Sequence, residues 1–251
     1  MSLIQDKPLD LKLLSLNIHK GFNWKNDSLI LENLRNVIRT ENADLVFLQE
    51  VVGENRLHLR NESKWPKEPQ FEFLAHQIWD HYSYGQNAVY PEGHHGNAIL
   101  SKFPITFWKN INLSTNKLEQ RGLLHCIIEI PPQNFKIHLL CTHLNLIFGR
   151  SKQINMISEY LKTTLNSNEP IILAGDFNDW DKKAAKHFTT DLKFLDLLEP
   201  SIKTFPALHP ILRLDGIYTH QFQKIHSKIH HSQPWDSWSD HSALIAQVRL
   251  L

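Results

Sequence analysis

The protein has 251 residues, of which 41% are hydrophobic and 21% charged, and these ordinary values exclude a disordered or fibrous chain. Its 27 basic residues nearly balance 26 acidic ones, and the formal net charge of +1 argues against a broad nucleic-acid-binding face. The sequence shows no signal peptide and no apolar run of about 18 residues. We therefore predict one domain over residues 1–251, a cytoplasmic location and no transmembrane segment, while the oligomeric state stays open.

Apolar runs bounded by turn residues predict strands along the whole chain. In chain order these runs are LKLLSLNI, DLVFLQEV, GNAILS, LLHCIIEI, FKIHLLCTHL, PIILAGDF, RLDGIYT and SALIAQVRL. Helical spacing of apolar residues predicts a helix after an N-cap at Asp27 or Ser28 and another after Ser151. The short PPQN between two of the runs indicates a hairpin, so the sheets are expected to be partly antiparallel. Packed sheets with helices outside fit this order better than a doubly wound parallel sheet.

Polar side chains gather where several of these strands end. In ILAGDFN, Asp176 and Asn178 lie on one face of an extended chain, and Gly175 allows a close approach. The same change from apolar to polar occurs at Asn17 and His19, at Glu50, at His143 and Asn145, and in reverse order at Asp240 and His241. Because an antiparallel strand starts where its neighbour ends, one rim can collect all of these side chains.

Each of these residues, taken alone, also fits a polar turn after a core strand. As a group they include the carboxylates of Glu50, Asp176, Asp215 and Asp240, which are hard oxygen ligands for a divalent cation. The histidines of the group add proton-transfer capacity. The pattern therefore indicates a rim that supplies ligands for a divalent cation together with proton-transfer groups.

The ordered segments LNIHKG, LQE, GNAILS, THL, GDFND, LDGIY and SDH closely resemble the endonuclease/exonuclease/phosphatase superfamily, from about Leu13 to Leu250. YPEGHHGNAILS and TFPALHPILRLDGIY are similar to its bacterial YbhP-like branch. The resemblance implies an α/β fold, a four-layer DNase I-like sandwich of two packed mixed, largely antiparallel sheets with helices outside. It also places the site at one rim.

The resemblance implies a role for each rim residue. Metal binding, by Mg²⁺ or Mn²⁺, is assigned to Glu50, Asn17 and Asp240. Catalysis is assigned to Asp176 for the attacking water, Asn178 for the developing charge, His241 oriented by Asp215 for the phosphate, and His143 for a second phosphate contact or for the leaving group. Substrate binding is predicted for His19, Asn97, Asn145, His95 and Trp180, the last two from their positions beside the rim segments.

Two departures from the family pattern bear on the substrate. His19 stands where the apurinic-endonuclease branch has an acidic residue, which weakens the case for a second metal. Gly216 follows Asp215 where nucleases often have an aromatic residue, which predicts a more open wall beside the phosphate. We predict a divalent-metal-dependent phosphodiesterase acting on a small or lipid-derived phosphodiester. The alternatives are a nuclease acting on DNA or RNA and a non-catalytic binding protein of the same fold.

Overall fold

The computed structural model describes residues 8–131, 135–166, 168–230, 233 and 235–251. Two six-stranded sheets form its centre. The first sheet contains, in spatial order, β11 Phe222–His230, β12 Ala243–Leu250, β1 Asp10–Asn17, β2 Leu45–Asn55, β4 Gly93–Ser101 and β3 His81–Tyr90. The second contains β5 Ile105–Asn112, β6 Gly122–Ile130, β7 Phe135–His143, β8 Ile171–Asp176, β10 Asp215–His220 and β9 Leu195–Asp196. The helices are α1 Leu31–Glu41, α2 Arg56–Asn61, α3 Gln70–Ala75, α4 Arg150–Thr164, α5 Lys183–Lys186 and α6 Trp235–Trp238.

Both sheets are mixed. β1 pairs with β2 and β7 pairs with β8 in parallel, and the other strand pairs are antiparallel. The predicted hairpin joins β6 and β7, which pair antiparallel as expected, although residues 132–134 of its turn lie outside the described residues. The parallel pairs are joined through α1 and α4, since a parallel connection needs room to cross over.

Alternation of side chains along each strand divides the core into three apolar layers. Phe47 of β2 and Leu139 of β7 belong to the layer between the sheets. Leu34 of α1 packs on the outer face of the first sheet, and Ile157 of α4 packs on the outer face of the second. The predicted four-layer α/β sandwich is therefore confirmed.

Four strands, β3, β5, β9 and β11, were not predicted, because their many exposed or half-buried residues break the apolar pattern. The expected N-cap of α1 is wrong, since the helix begins at Leu31 after Ile30. Asp27 instead accepts a hydrogen bond from the Asn23 side chain, which closes the preceding loop. Among the described residues, no helix is long and apolar enough to cross a membrane.

Candidate active site

The C-terminal end of β8 presents Asp176 to the rim. Gly175 has a φ of +150°, and a Cβ there would lie 2.0 Å from the Thr142 carbonyl oxygen of β7. Only glycine can hold the strand this close to its neighbour. Phe177 turns to the helix-covered face and packs on Tyr218, so the buried Asp176 carboxylate faces the opposite side, as predicted from the period of two.

Asp215 lies directly across the sheet from Asp176, because β10 runs antiparallel to β8 and starts where β8 ends. His241, just before β12, joins the two carboxylates. Its Nδ1 lies 2.9 Å from Asp215 Oδ2 and its Nε2 lies 3.6 Å from Asp176 Oδ2. All three side chains are buried. They form the centre of the candidate site, which we call the Asp-His-Asp cluster.

Burial sets the protonation of this cluster. Burial raises the pKa of Asp176 to about 7, although the charge of His241 acts in the opposite direction. Burial also opposes the charged form of His241, but Asp215 and Asp176 outweigh it and raise its pKa to about 10. At neutral pH the cluster therefore holds an imidazolium beside a carboxylate that is close to its titration midpoint, which suits proton transfer.

Glu50 reaches the rim through a local irregularity in β2. The pairing of β2 with β4 shifts register between Leu48 and Val51, and Glu50 has a φ of +55°. A bulge of this kind redirects one side chain out of the regular alternation. Glu50 Oε1 accepts a hydrogen bond of 3.4 Å from Asn17 Nδ2, and Oε2 lies 3.4 Å from Lys20 Nζ.

The Asn17 side chain connects Glu50 to the Asp-His-Asp cluster. Its Nδ2 also donates to Asp176 Oδ2 over 3.1 Å, while its Oδ1 accepts from the His19 backbone N–H over 3.0 Å. Asn17 is itself buried at the end of β1. The amide thus fixes the spacing between the two carboxylates, and its oxygen is engaged by the protein.

His143 at the end of β7 lies between the same carboxylates. Its Nε2 is 3.5 Å from Asp176 Oδ2 and its Nδ1 is 4.0 Å from Glu50 Oε1. Burial lowers the pKa of His143 well below its ordinary value, with the charge of Arg121 acting in the same direction. The ring is therefore neutral at pH 7, which favours a hydrogen-bonding role over the alternative role of leaving-group acid.

Asp240 lies one step outside this group. Its Oδ1 is 3.0 Å from Nδ1 of His19, and this hydrogen bond raises the pKa of His19 above its ordinary value. His19 Nε2 also contacts Asn26, so the ring is held from both sides. Within the described chain, no hydrogen bond joins Asp240 to Glu50. Asp240 contacts His19 instead, and its role in metal binding stays a prediction.

Among the described residues, one group of three acidic and histidine side chains has the spacing to hold a cation, and Glu50 offers a further carboxylate beside it. Ligand atoms of Asp176, Asp215 and His241 lie within 4.8 Å of one another. The imidazolium disfavours a metal there, because a histidine ligand must first lose its proton. At Glu50 the carboxylate faces the Lys20 ammonium, a positive charge that a divalent cation can replace. Glu50 is therefore a candidate oxygen ligand for a divalent cation beside the cluster.

Asn178 and Asn145, two further residues predicted for the site, differ in their relation to the Asp-His-Asp cluster. The buried Asn178 follows Asp176 in the left-handed conformation, with a φ of +48°. Its backbone N–H donates to Asp176 Oδ1 over 2.9 Å and its Nδ2 donates to the Leu144 carbonyl over 2.8 Å. Asn145 is fully buried, with its Oδ1 accepting from Gln153 of α4 and its Nδ2 donating to the Phe148 carbonyl of the loop. Asn145 therefore holds the loop rather than facing the cluster.

Asn97 and His95 lie on β4 beside the site. Asn97 Nδ2 donates to the carbonyls of Gly122 and Cys141, which joins the two sheets. Burial lowers the pKa of His95 to about 4, and the charge of Lys20 adds to this effect. Trp180 is 48% exposed, and its indole N–H donates to the Leu146 carbonyl over 3.0 Å. Asn97 is therefore buried between the sheets, whereas His95 and Trp180 are partly exposed, and their substrate-binding role stays a prediction.

Four residues at the site escaped the sequence reasoning. Lys20 contacts Glu50, and Arg121 is close enough to lower the pKa of both His143 and His95. Arg150 is buried and donates to the carbonyl of Asn178 over 2.6 Å, which fixes the turn after Asp176. The Phe205 ring lies 5.0 Å from that of His241. A basic residue just before LLHCIIEI, at a strand end of the same rim, was the available signal for Arg121.

The expectation drawn from Gly216 was wrong. A Cβ at this position would lie 2.8 Å from the Tyr218 ring, because Gly216 and Tyr218 share the helix-covered face of β10. The side chain after Asp215 therefore points away from the rim. The aromatic wall beside His241 is supplied by Phe205 instead.

Comparison with known proteins agrees with this architecture. The model of the Endonuclease/Exonuclease/phosphatase family matches residues 14–241. The chain is 40% identical over 252 aligned residues to the uncharacterized protein YbhP of Escherichia coli strain K12, covering 98% of this chain and 99% of YbhP.

Two solved structures share the fold at low sequence identity. An endonuclease/exonuclease/phosphatase from Beutenbergia cavernae DSM 12333 superposes with a TM-score of 0.76 at 19% identity, covering 97% of this chain and 72% of the other. A mannosyl-6-phosphatase from Bacteroides thetaiotaomicron VPI-5482 superposes with a TM-score of 0.72 at 16% identity, covering 95% and 99%. With its rim of carboxylates and histidines at the edge of two packed sheets, the chain belongs to the endonuclease/exonuclease/phosphatase family.

Proposed function

We propose that the protein is a divalent-metal-dependent phosphodiesterase that hydrolyses a small or lipid-derived phosphodiester by in-line attack of water. The observation that carries this proposal is the Asp-His-Asp cluster beside Glu50, joined through the Asn17 amide. Proton acceptor, positive charge and metal-binding carboxylate then face one space, as phosphoester hydrolysis requires.

Asp176 is the base in this scheme. It takes a proton from water as the water oxygen forms a bond to phosphorus, and the bond from phosphorus to the leaving oxygen breaks. A pKa of about 7 leaves a useful fraction of Asp176 ionised while keeping it basic enough to accept the proton. Solvent water supplies the proton that the leaving alkoxide needs.

His241 and the second N–H of the Asn178 amide stabilise the negative charge that develops on the phosphoryl oxygens. The imidazolium is held by Asp215 through Nδ1, so Nε2–H points towards Asp176 and the substrate space. Neutral His143 can donate one further hydrogen bond. Such groups act without reorganisation because their partners already fix them. A Mg²⁺ bound at Glu50 would polarise a phosphoryl oxygen as a Lewis acid.

Apolar side chains beside the site favour a substrate with an apolar part. The loop after His143 exposes Leu146, Ile147 and Phe148 by 48%, 59% and 79%, and Trp180 adjoins it through the Leu146 carbonyl. A polyanion offers such a surface little. The near-neutral charge of the chain points in the same direction, since a protein that tracks nucleic acid neutralises several phosphates.

Hydrolysis of bis(para-nitrophenyl) phosphate tests the proposal. Activity is expected with Mg²⁺ or Mn²⁺, is expected to vanish in excess chelator, and should return when the metal is restored. The variant Asp176→Asn serves as the blank for contaminating enzymes. Full activity in excess chelator, or equal activity in that variant, would contradict the proposed chemistry.

A parallel screen separates this proposal from the two alternatives. Plasmid DNA, abasic-site duplex, single-stranded RNA, phospholipids and soluble phosphodiesters are incubated with Mg²⁺ under identical conditions. Cleavage of a nucleic acid that is lost in Asp176→Asn and falls steeply with salt would establish a nuclease instead. Binding without turnover of any substrate would favour the non-catalytic protein.

A further inference from the structure

A polar cleft of about 380 Å³ opens where the edge strands β3 and β5 meet the loop over residues 113–121. Its lining consists of four asparagines, two glutamines, one serine, Lys117 and Arg121, and we call it the amide cleft. The lining, all of it in the described chain, contains two cations and no carboxylate. This composition is unusual for a surface with nearly balanced charge.

Arg121 and the start of β6 connect the amide cleft to the strand that carries His143. Gly122, which starts β6, accepts a hydrogen bond of 3.1 Å from Thr142, the residue before His143. Arg121 precedes Gly122 and lines the cleft, yet its charge also acts on His143. The guanidinium has a single carboxylate contact, Glu119 at 3.5 Å, and its buried Nε has no partner in the described structure. Arg121 therefore lies between the amide cleft and His143.

Backbone contacts fix which way the amides of the cleft point. Asn112 Oδ1 accepts from the Ser114 N–H, and Asn116 Oδ1 accepts from the Leu118 and Glu119 N–H groups. Since a backbone N–H can only donate, the oxygen must face it and the NH₂ group must take the other position. The same reasoning holds for Gln120, whose Oε1 accepts from the Val89 N–H.

Asn87 completes the set of free donors. Its Oδ1 accepts from Asn110 Nδ2, which also donates to the Gln86 carbonyl. Within the part of the chain that the structure describes, the NH₂ groups of Asn87, Asn112, Asn116 and Gln120 donate to no other residue, and neither does the Lys117 ammonium. The cleft thus offers donors and positive charge, while most of its acceptors are occupied.

This balance selects the chemistry of a ligand. A sugar hydroxyl donates as well as accepts, so a polyol site needs free acceptors, and four of the six amide oxygens here are already used. An ionised phosphate only accepts, carries negative charge and forms its strongest hydrogen bonds with cationic and N–H donors. The cleft therefore matches a phosphate group better than a neutral headgroup.

We propose that the amide cleft binds a second phosphate group of the substrate, on the arm that extends past Arg121 from the scissile phosphodiester. The inference rests on the proposed function and narrows its substrate to a small phosphodiester that carries an additional phosphate. The neighbouring phosphate of an oligonucleotide shares this chemistry, and the experiment distinguishes the two sources.

The test compares kcat/KM for glycerophosphoinositol with that for glycerophosphoinositol phosphate, and for a dinucleotide with and without a terminal phosphate. The wild-type protein should prefer the phosphorylated inositol diester by about tenfold or more, as charge-assisted hydrogen bonds imply. The isosteric Asn87→Asp and the charge-reversing Lys117→Glu should each bring that ratio towards one. Lys109→Glu, an exposed position on β5 outside the cleft, makes the same charge change and should keep the preference.

Hydrolysis of bis(para-nitrophenyl) phosphate, which has one phosphate, should be equal in all four proteins, so a failure of the cleft is separated from a failure of the catalytic proposal. A wild-type ratio near one, or a ratio unchanged in both cleft variants, would overturn the inference. A preference confined to the dinucleotide pair would assign the cleft to nucleic acid. If no diester is hydrolysed, calorimetric binding of the same ligands decides, and equal affinity with and without the second phosphate overturns the inference.

Discussion

Buried histidines occupy two places in the fold, the rim and the space under α4, and only the rim has the properties expected of a catalytic centre. At the rim, His241 lies between Asp215 and Asp176. Under α4, His125 Nε2 lies 2.9 Å from His138 Nδ1, and His125 Nδ1 lies 2.8 Å from the Tyr160 hydroxyl. Both groups are buried and hydrogen-bonded, so neither property by itself marks the site.

The difference lies in the carboxylates. Burial and the neighbouring His138 lower the pKa of His125 to about 4, whereas two buried carboxylates overcome burial and raise the pKa of His241 to about 10. Among the described residues, the carboxylate that contacts the histidine pair under α4 is the partly exposed Glu169, whose Oε2 lies 3.4 Å from His138 Nε2. A buried histidine thus becomes a charged functional group where buried carboxylates face it, and otherwise it is a neutral packing group.

The largest expected effect breaks the rim group. Asp176→Asn and His241→Gln should each lower the turnover of bis(para-nitrophenyl) phosphate by about 10²-fold or more, the range for losing a positioned base or electrostatic group. His125→Gln, which removes an equally buried histidine, should keep turnover near that of the wild type. Steady-state kinetics on folded proteins decides, and near-normal turnover in both rim variants would refute the assigned roles.

The next effect extends the comparison to two carboxylates outside the cluster. Glu50→Gln should raise the Mg²⁺ concentration needed for half-maximal activity by about tenfold or more, because it removes the charged ligand. Glu41→Gln is the matched control, since Glu41 pairs with Lys12 and His230 far along the first sheet. Metal titration of activity and of protein fluorescence measures both variants. An unchanged midpoint for Glu50→Gln would move the metal site elsewhere.

A smaller effect is expected in the histidine pair under α4. Tyr160→Phe removes the hydroxyl that contacts His125 Nδ1 and leaves that buried nitrogen without its partner. The free energy of unfolding should fall by about 1–3 kcal/mol with turnover unchanged. Urea unfolding followed by circular dichroism measures the loss. A large drop in turnover at normal stability would show that this pair is coupled to catalysis after all.

The smallest effect is a pH dependence of stability. The pKa of His125 is about 4 in the folded protein against an ordinary 6.5, so the unfolded chain binds its proton first. Above pH 6.5, where His125 is neutral in both the folded and the unfolded chain, its full contribution to the free energy of unfolding is present. This contribution is lost as the pH falls from 6.5 towards 4, because the unfolded chain then binds a proton that the folded protein does not. The stability difference between the wild type and His125→Gln should therefore shrink over this interval. A difference independent of pH would indicate an ordinary pKa for His125.

Many residues of the rim could be predicted because the order of apolar and polar residues along each strand shows where the strand ends. Strand ends that change from apolar to polar place Asp176, His143 and Glu50 together once neighbouring strands are paired, and the antiparallel start at Asp215 follows the same rule. The fold followed from the ordered family segments, which span nearly the whole chain.

What escaped prediction depends on local backbone geometry or on distant contacts. The bulge that turns Glu50 and the left-handed conformation of Asn178 leave no pattern in the sequence. Phe205 comes from a loop whose path is set by tertiary packing, so its contact with His241 leaves no spacing pattern in the sequence. Gly216 was misjudged because the alternation that places Asp215 on the rim necessarily turns its neighbour away.

The groups of the proposed active site come from both sheets, with Asn17, Glu50 and His241 attached to the first and His143, Asp176 and Asp215 to the second. Away from the rim, the sheets meet mainly through apolar side chains such as Phe47 and Leu139. The distances between these side chains therefore depend on how the two sheets are placed relative to each other. A substitution that changes side-chain volume in the apolar layer between the sheets can therefore lower turnover, although every side chain of the proposed site is unchanged.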